Sequence, residues 1–198
     1  SDRPEAKILY FVGCAGSFDD RGKVVARAIV NLLKKAEIDF AILGPEERCT
    51  GDAARRAGNE YVAQELIQAN LDTLGKFRPD RILTGCPHCY NTLKHEYPQF
   101  GAMPDVLHHT AFLADLIQNG RLKPKDKLET TVTLHDSCYL CRWNDIIDAP
   151  RQILGAIGGL QIREMDRSGR KGLCCGAGGS RMFMEEKIGK RINIERVE

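Results

Sequence analysis

No stretch of this chain approaches the roughly 18 uninterrupted apolar residues of a membrane-spanning helix. The first apolar run, Ile8 to Val12, is too short for the core of a signal peptide. Charge of one sign is scarce as well. The 29 Lys and Arg against 27 Asp and Glu leave a net charge of +2, without the basic excess that marks a nucleic-acid binder. Disulfide frameworks belong to small secreted domains, and this chain lacks both a signal sequence and their loop-rich composition. The expectation is a soluble protein of a reducing cytoplasm that contacts the inner face of the cell membrane only by docking on a membrane-anchored partner. Nucleic acid is not expected as a partner.

What is present is cysteine in a repeated pattern. Eight cysteines stand at positions 14, 49, 86, 89, 138, 141, 174 and 175. Shifting Cys14 by 124 residues lands on Cys138, and shifting Cys49-Thr50-Gly51 by 125 lands on Cys174-Cys175-Gly176, so one unit is written twice. The first copy continues to Cys86-Pro87-His88-Cys89, whereas the matching C-x-x-C of the second would fall beyond Glu198. The expectation is therefore two units, residues 1–113 and 114–198, the second stopping before its last strand and C-x-x-C as a piece of a longer protein. At 198 residues and 42% hydrophobic content, both have enough apolar material for buried cores.

Lys7 to Gly13 reads as a short buried strand that delivers Cys14 at its carboxyl end. Val24, Val25, Ala28, Ile29, Leu32, Leu33 and Ala36 recur at helical spacing across Lys23 to Ala36. A second strand is expected over Ile38 to Leu43, helix from about Asp52 to Gly75, and a third strand over Arg81 to Thr84 delivering Cys86. The second unit repeats the plan with a strand over Thr131 to His135, a helix across Trp143 to Ala156 and a strand from Leu160 to Met165. Helix is expected also over Ala111 to Asn119 and Arg181 to Val197. Strand, helix, strand in this order predicts an α/β fold with parallel sheets. Sites in such sheets form outside the carboxyl ends of the strands, where each cysteine group falls.

Thiolates bind soft or borderline metals, and four cysteines per site is common for both zinc and iron–sulfur clusters. The first half offers Cys14, Cys49, Cys86 and Cys89. The second offers Cys138, Cys174 and Cys175, with Cys141 as a further candidate ligand or a small core residue. Neighbouring α-carbons lie about 3.8 Å apart, which makes Cys174 and Cys175 poor disulfide partners for each other. Glycines beside these cysteines (Gly13, Gly51, Gly85, Gly176, Gly178, Gly179) let backbone N–H groups approach cluster sulfurs.

The runs Cys49-Thr50-Gly51 with Cys86-Pro87-His88-Cys89, and His135-Asp136-Ser137-Cys138 with Leu173-Cys174-Cys175-Gly176-Ala177-Gly178-Gly179, resemble the two motifs of the cysteine-rich CCG-domain family, which takes in the cluster-bearing subunits of heterodisulfide reductases. That family includes the iron–sulfur subunits of glycolate oxidase and of lactate-utilisation complexes. The likeness covers nearly the whole chain. It implies two pseudo-symmetric, Rossmann-like half-domains, each with a cluster or metal at its motif. It also implies an electron-transfer role between a flavoprotein or ferredoxin-type donor and a quinone or disulfide acceptor. In heterodisulfide reductases, five-cysteine motifs hold noncubane [4Fe-4S] clusters. Here Thr50 replaces one cysteine, which leaves four ligands and suits a cubane [4Fe-4S] cluster or zinc. Cys141 is an addition to the pattern.

Two other readings stand beside this one. A structural zinc module would position a partner protein without redox chemistry. Cys86-Pro87-His88-Cys89 after a strand and before a helix is also the layout of a thiol–disulfide oxidoreductase. His88 is expected to tune its site rather than ligate. His135 and Asp136 are candidates for proton-coupled chemistry or for plain backbone hydrogen bonding, and His108-His109 for a helix amino-terminal cap. The glycine loop Gly176 to Ser180 lacks the lysine and spacing of a P-loop, so close packing around a cluster is expected there. Trp143 is expected in the core, and Met182, Phe183 and Met184 in the core or on a docking surface.

Overall fold

The computed structural model describes residues 6–185 and 187–197. Four parallel strands, β1 (Ile8–Phe11), β2 (Phe40–Ala41), β3 (Arg81–Thr84) and β4 (Asp105–His108), form one sheet in the order β2-β1-β3-β4. β5 (Thr130–Val132) and β6 (Leu160–Ile162) form a second parallel sheet. The helices are α1 (Gly13–Phe18), α2 (Asp20–Lys35), α3 (Asp52–Arg56), α4 (Glu60–Phe77), α5 (Pro87–Asn91), α6 (His109–Gln118), α7 (Cys138–Asn144), α8 (Asp148–Gly155) and α9 (Ile192–Val197). The fold is α/β with parallel sheets in each half, as the strand–helix alternation predicts.

Alternate residues of a strand face opposite sides of a sheet, and the core divides accordingly. Leu9, Phe11 and Ile82 pack with Ile67 and Leu74 of α4 and with Tyr90, Leu93 and Tyr97 on one face. Tyr10 and Leu83 pack with Ile29 and Leu33 of α2 and with Phe112 and Leu116 of α6 on the other. The second half is fastened to both faces: Leu140 of α7 enters the first cluster, and Ile153 of α8 packs against the second.

The expected helices are shorter than their periodicity suggests. The stretch from Asp52 to Gly75 breaks at Gly58, and Asn59 caps α4 by accepting the Val62 N–H at 3.2 Å. The Trp143 to Ala156 stretch breaks after Asn144, where Asp145 takes a left-handed conformation with φ +56°. Of the helix expected over Arg181 to Val197, one 3₁₀ turn at Arg181–Phe183 and α9 form. Glu186 lies outside the described residues. β4 is an element that the sequence reading does not include.

Candidate metal centre

The chain leaves β1 to build β2 on one side and returns to build β3 on the other, so the crevice of this sheet opens between the ends of β1 and β3. Phe11 pairs with Thr84 in register, and the two strands therefore release Gly13-Cys14 and Gly85-Cys86 side by side. At the first of these turns Gly13 has φ +78°, and a Cβ on it would stand 3.2 Å from Cys89 Sγ. Both requirements, the left-handed backbone and the close approach of a sulfur, select glycine. The Glu47 carboxylate fixes the turn by accepting the Val12 N–H at 2.9 Å and the Gly13 N–H at 2.7 Å. Burial raises this carboxyl to about 7.

Cys49 arrives on a loop held by the buried Asn70. Its side-chain oxygen accepts the Arg48 N–H at 3.0 Å, and its amide donates to the Arg48 and Cys49 carbonyls and to Tyr97 Oη. Tyr97 Oη in turn donates to the Thr50 carbonyl at 3.2 Å. Gly51, at φ +85°, carries the loop into α3 where a Cβ would press to 3.0 Å on the Ala63 carbonyl oxygen. Cys86 precedes Pro87, which opens α5, and Cys89 sits buried one turn on. A turn of π-helix over Thr92–Glu96 follows, a conformation that recurs near functional sites. Glu96 there takes ion pairs from Arg55, at 2.8 Å, and Arg56.

Three loops thus converge on one place. Cys14 accepts a hydrogen bond from Cys49, which brings the Cys14 thiol down to about 6 and pushes Cys49 far up. Cys86 is brought to about 6 by a hydrogen bond from Cys89, whose own thiol is pushed well up. Among the described residues, no three His, Cys, Asp or Glu side chains are arranged as a ready metal cage. The thiols close on each other in pairs instead. Their chemistry and their convergence at the crevice fit a thiolate-ligated group.

In the second half Cys138 opens α7, and Cys174 and Cys175 lie on a loop whose backbone turns toward them. Gly176 N–H donates to Cys174 Sγ and Ala177 N–H to Cys175 Sγ, each at 3.4 Å. Burial raises the Cys138 thiol. Burial opposes ionisation of Cys175 too, yet the N–H groups of Ala177 and Gly178 bring it down. Cys138 feels the charges of both Cys174 and Cys175. Cys141 is 1% exposed, and burial, with the charge of Asp136, raises its thiol.

Several expectations resolve differently. Asp136 receives Arg151 in a fork at 2.9 and 2.8 Å and the Gly169 N–H, so it braces a loop. Burial lowers His135. His108 caps α6, its Nδ1 accepting the Thr110 N–H, as the amino-terminal cap expectation has it. Trp143 is 71% exposed, not in the core, because α7 ends there and turns its buried side, Leu140 and Cys141, inward. Met182, Phe183 and Met184 are exposed, which leaves the surface alternative of the two. Glu47, Asn70, Asp52 and Tyr139 are site residues the sequence reading missed. Asp52, directly after the Cys49-Thr50-Gly51 run, and Tyr139, directly after Cys138, each carried a local signal.

An α/β chain with one cysteine set at the ends of β1 and β3 and a second set on α7 and a glycine-rich loop defines a class, and the chain belongs to the cysteine-rich CCG domain family. The family model matches residues 8–94 and 132–198. Over 194 residues the chain is 48% identical to the probable iron-sulfur-binding oxidoreductase FadF of Bacillus subtilis (strain 168), covering 98% of this chain and 28% of that protein. It is 47% identical over 204 residues to the EtfAB:quinone oxidoreductase of Syntrophomonas wolfei, covering 100% of this chain and 28% of that one. With one of the subunits of the dihydromethanophenazine:CoB–CoM heterodisulfide reductase of Methanosarcina barkeri the identity is 39% over 181 residues, 88% of this chain and 44% of that protein. The chain therefore spans less than half the length of these relatives. Among the described residues no helix is long and apolar enough to cross a membrane.

Proposed function

We propose that this chain is an iron–sulfur electron-transfer module of an oxidoreductase. Cys14, Cys49, Cys86 and Cys89 hold one [4Fe-4S] cluster, and Cys138, Cys174 and Cys175 belong to a second centre. Cys141 packs on the buried side of α7. The convergence of four thiols from three loops at the β1/β3 crevice, with the Gly13 backbone against Cys89 Sγ, carries the reading. The names of the relatives support it. When bound, such a cluster supplies one-electron transfer at a potential set by its type, its hydrogen bonds and its exposure. The residues of this chain supply the rest: Glu47 and Asn70 fix the two ligand loops, the N–H groups of Gly176 and Ala177 face ligand sulfurs, and the buried strand ends Phe11 and Thr84 back a site whose Cys14 is exposed. A flavoprotein or ferredoxin-type protein is the donor, and a quinone or disulfide the acceptor, with docking on a membrane-anchored protein or domain.

A dithiol reading has one observation of its own, the Cys86 thiol held near 6 beside a Cys89 held well up. The same pattern at Cys14 and Cys49 speaks for four sulfurs acting as a set. Iron, zinc and acid-labile sulfide content, with EPR, on protein purified without oxygen tests the proposal. About four iron and four sulfide per chain is the expected result for one cluster. Zinc without sulfide makes the chain a structural module, and metal-free protein with disulfide-exchange activity makes it a dithiol enzyme.

A further inference from the structure

His88 belongs to the first cysteine loop and faces the second. Its Nδ1 stands 2.8 Å from Asp52 Oδ2, and Asp52 also accepts from Thr92 and Arg56, so the imidazole is anchored at one end. Its ring meets the ring of Tyr139 on α7 edge-on, with 4.6 Å between centroids. Beyond the ring runs the loop that carries Cys175: a Cβ on Gly178 would lie 3.2 Å from His88 Cε1 and 3.6 Å from Nε2. Cys86 of the first set and Cys175 of the second both act electrostatically on this imidazole. The Ser180 hydroxyl, donating to the Ala53 carbonyl, closes the same seam.

A role confined to its own site accounts for the bond to Asp52 but not for the approach of Gly178. The backbone of Gly178 does not demand glycine, since its φ lies outside the left-handed region. What crowds a side chain there is the His88 ring. The imidazole thus fills the space between two loops that belong to different halves of the chain.

We propose that His88, anchored by Asp52, is a positioning residue that joins the two cysteine sets, so that a displacement of the Cys175–Gly178 loop is felt at the thiols of Cys86 and Cys89. The inference rests on the iron–sulfur reading and deepens it. The ring acts as a rigid spacer of fixed orientation, and no change in its protonation is involved.

A double-mutant cycle tests it on the intact protein reconstituted anaerobically with iron and sulfide. Gly178→Ala adds one methyl group that meets only the His88 ring and keeps the backbone N–H that faces Cys175. We expect it to change the reduction equilibrium of the first centre about tenfold, about 59 mV for a one-electron couple, with iron content unchanged. In a His88→Ala background, where the space is free, the same substitution leaves the potential unmoved. Equal shifts in both backgrounds, or no shift in the wild-type background, overturn the proposal. The second measurement needs no cluster: the imidazole ¹⁵N resonances of His88 in iron-free protein must move on Gly178→Ala, and unmoved resonances overturn the proposal as well. A wild-type protein that takes up no iron defeats the iron–sulfur reading, while the resonances still decide whether His88 joins the two loops.

Discussion

The Thr50 hydroxyl points at the sulfur of Cys89, 3.8 Å away, and both residues are buried. The second motif has paired cysteines, Cys174-Cys175, where the first has Cys49-Thr50. The first set is therefore four thiols and a hydroxyl donor rather than five thiols.

Replacing that donor by an isostere isolates its effect. In Thr50→Val the O–H···S contact is lost while the shape is kept. Urea denaturation of the iron-free protein should show a loss of about 1 kcal/mol. In the loaded protein the midpoint potential of the first centre should fall, because a hydrogen bond to a ligand sulfur favours the reduced, more negative state. A potential identical to wild type would show that the hydroxyl does not reach the ligand. Thr50→Cys should instead alter the EPR signature by adding a fifth thiol.

Cys86 and Cys141 should separate ligand from packing residue. Cys86→Ser is expected to abolish the visible absorption and iron of the first centre. Cys141→Ala is expected to keep both and to cost about 1 kcal/mol of stability, an ordinary figure for a single substitution. Iron loss in Cys141→Ala would move that thiol into the ligand set.

The fork between Arg151 and Asp136 should be worth more than a surface ion pair. The Asp136 side chain is 3% exposed and that of Arg151 21%, so Arg151→Met leaves a buried carboxylate with the Gly169 N–H but no cation, and also releases Glu164. A loss of about 3 kcal/mol in urea denaturation is expected, against less than about 1 kcal/mol for an exposed pair.

His108 and His109 should make the fold acid-sensitive. His108 Nε2 and His109 Nδ1 have no hydrogen-bond partner among the described residues, and burial brings the two imidazoles down to about 3 and about 4. An unfolded histidine takes up its proton near about 6.5. Between that pH and about 4 the unfolded chain binds protons that the folded chain refuses, so stability falls as the pH falls. Urea midpoints at pH 7.5 and pH 5 should differ less in His109→Met than in wild type. An equal drop in both would exclude His109 from the effect.

β1 was legible because it is a compact apolar run closed by glycine, and β3 because Arg-Ile-Leu-Thr follows a long helical stretch and runs directly into Gly85-Cys86. β4 was not, because Asp-Val-Leu-His carries a weak pattern by itself and becomes a strand by pairing with β3. The cysteines announced themselves by spacing. Their supports did not: Glu47 meets Val12 across 35 positions, and Asn70 meets Arg48 across 22, contacts that exist only after the sheet has formed. Trp143 was misread because a large aromatic is expected inside, whereas a helix as short as α7 has room to bury only one side.

The register that sets Phe11 beside Thr84 also sets a timetable for biogenesis. On the proposed reading, Cys14 leaves the ribosome long before Cys86, and until β3 has paired with β1 the early thiols lack half of their partners. A cluster donor that reached the nascent chain too soon would find only isolated sulfurs. Loading therefore belongs after this non-local strand pairing, the slow kind of step in folding, and cells short of iron would be expected to accumulate a protein that is already folded and waiting.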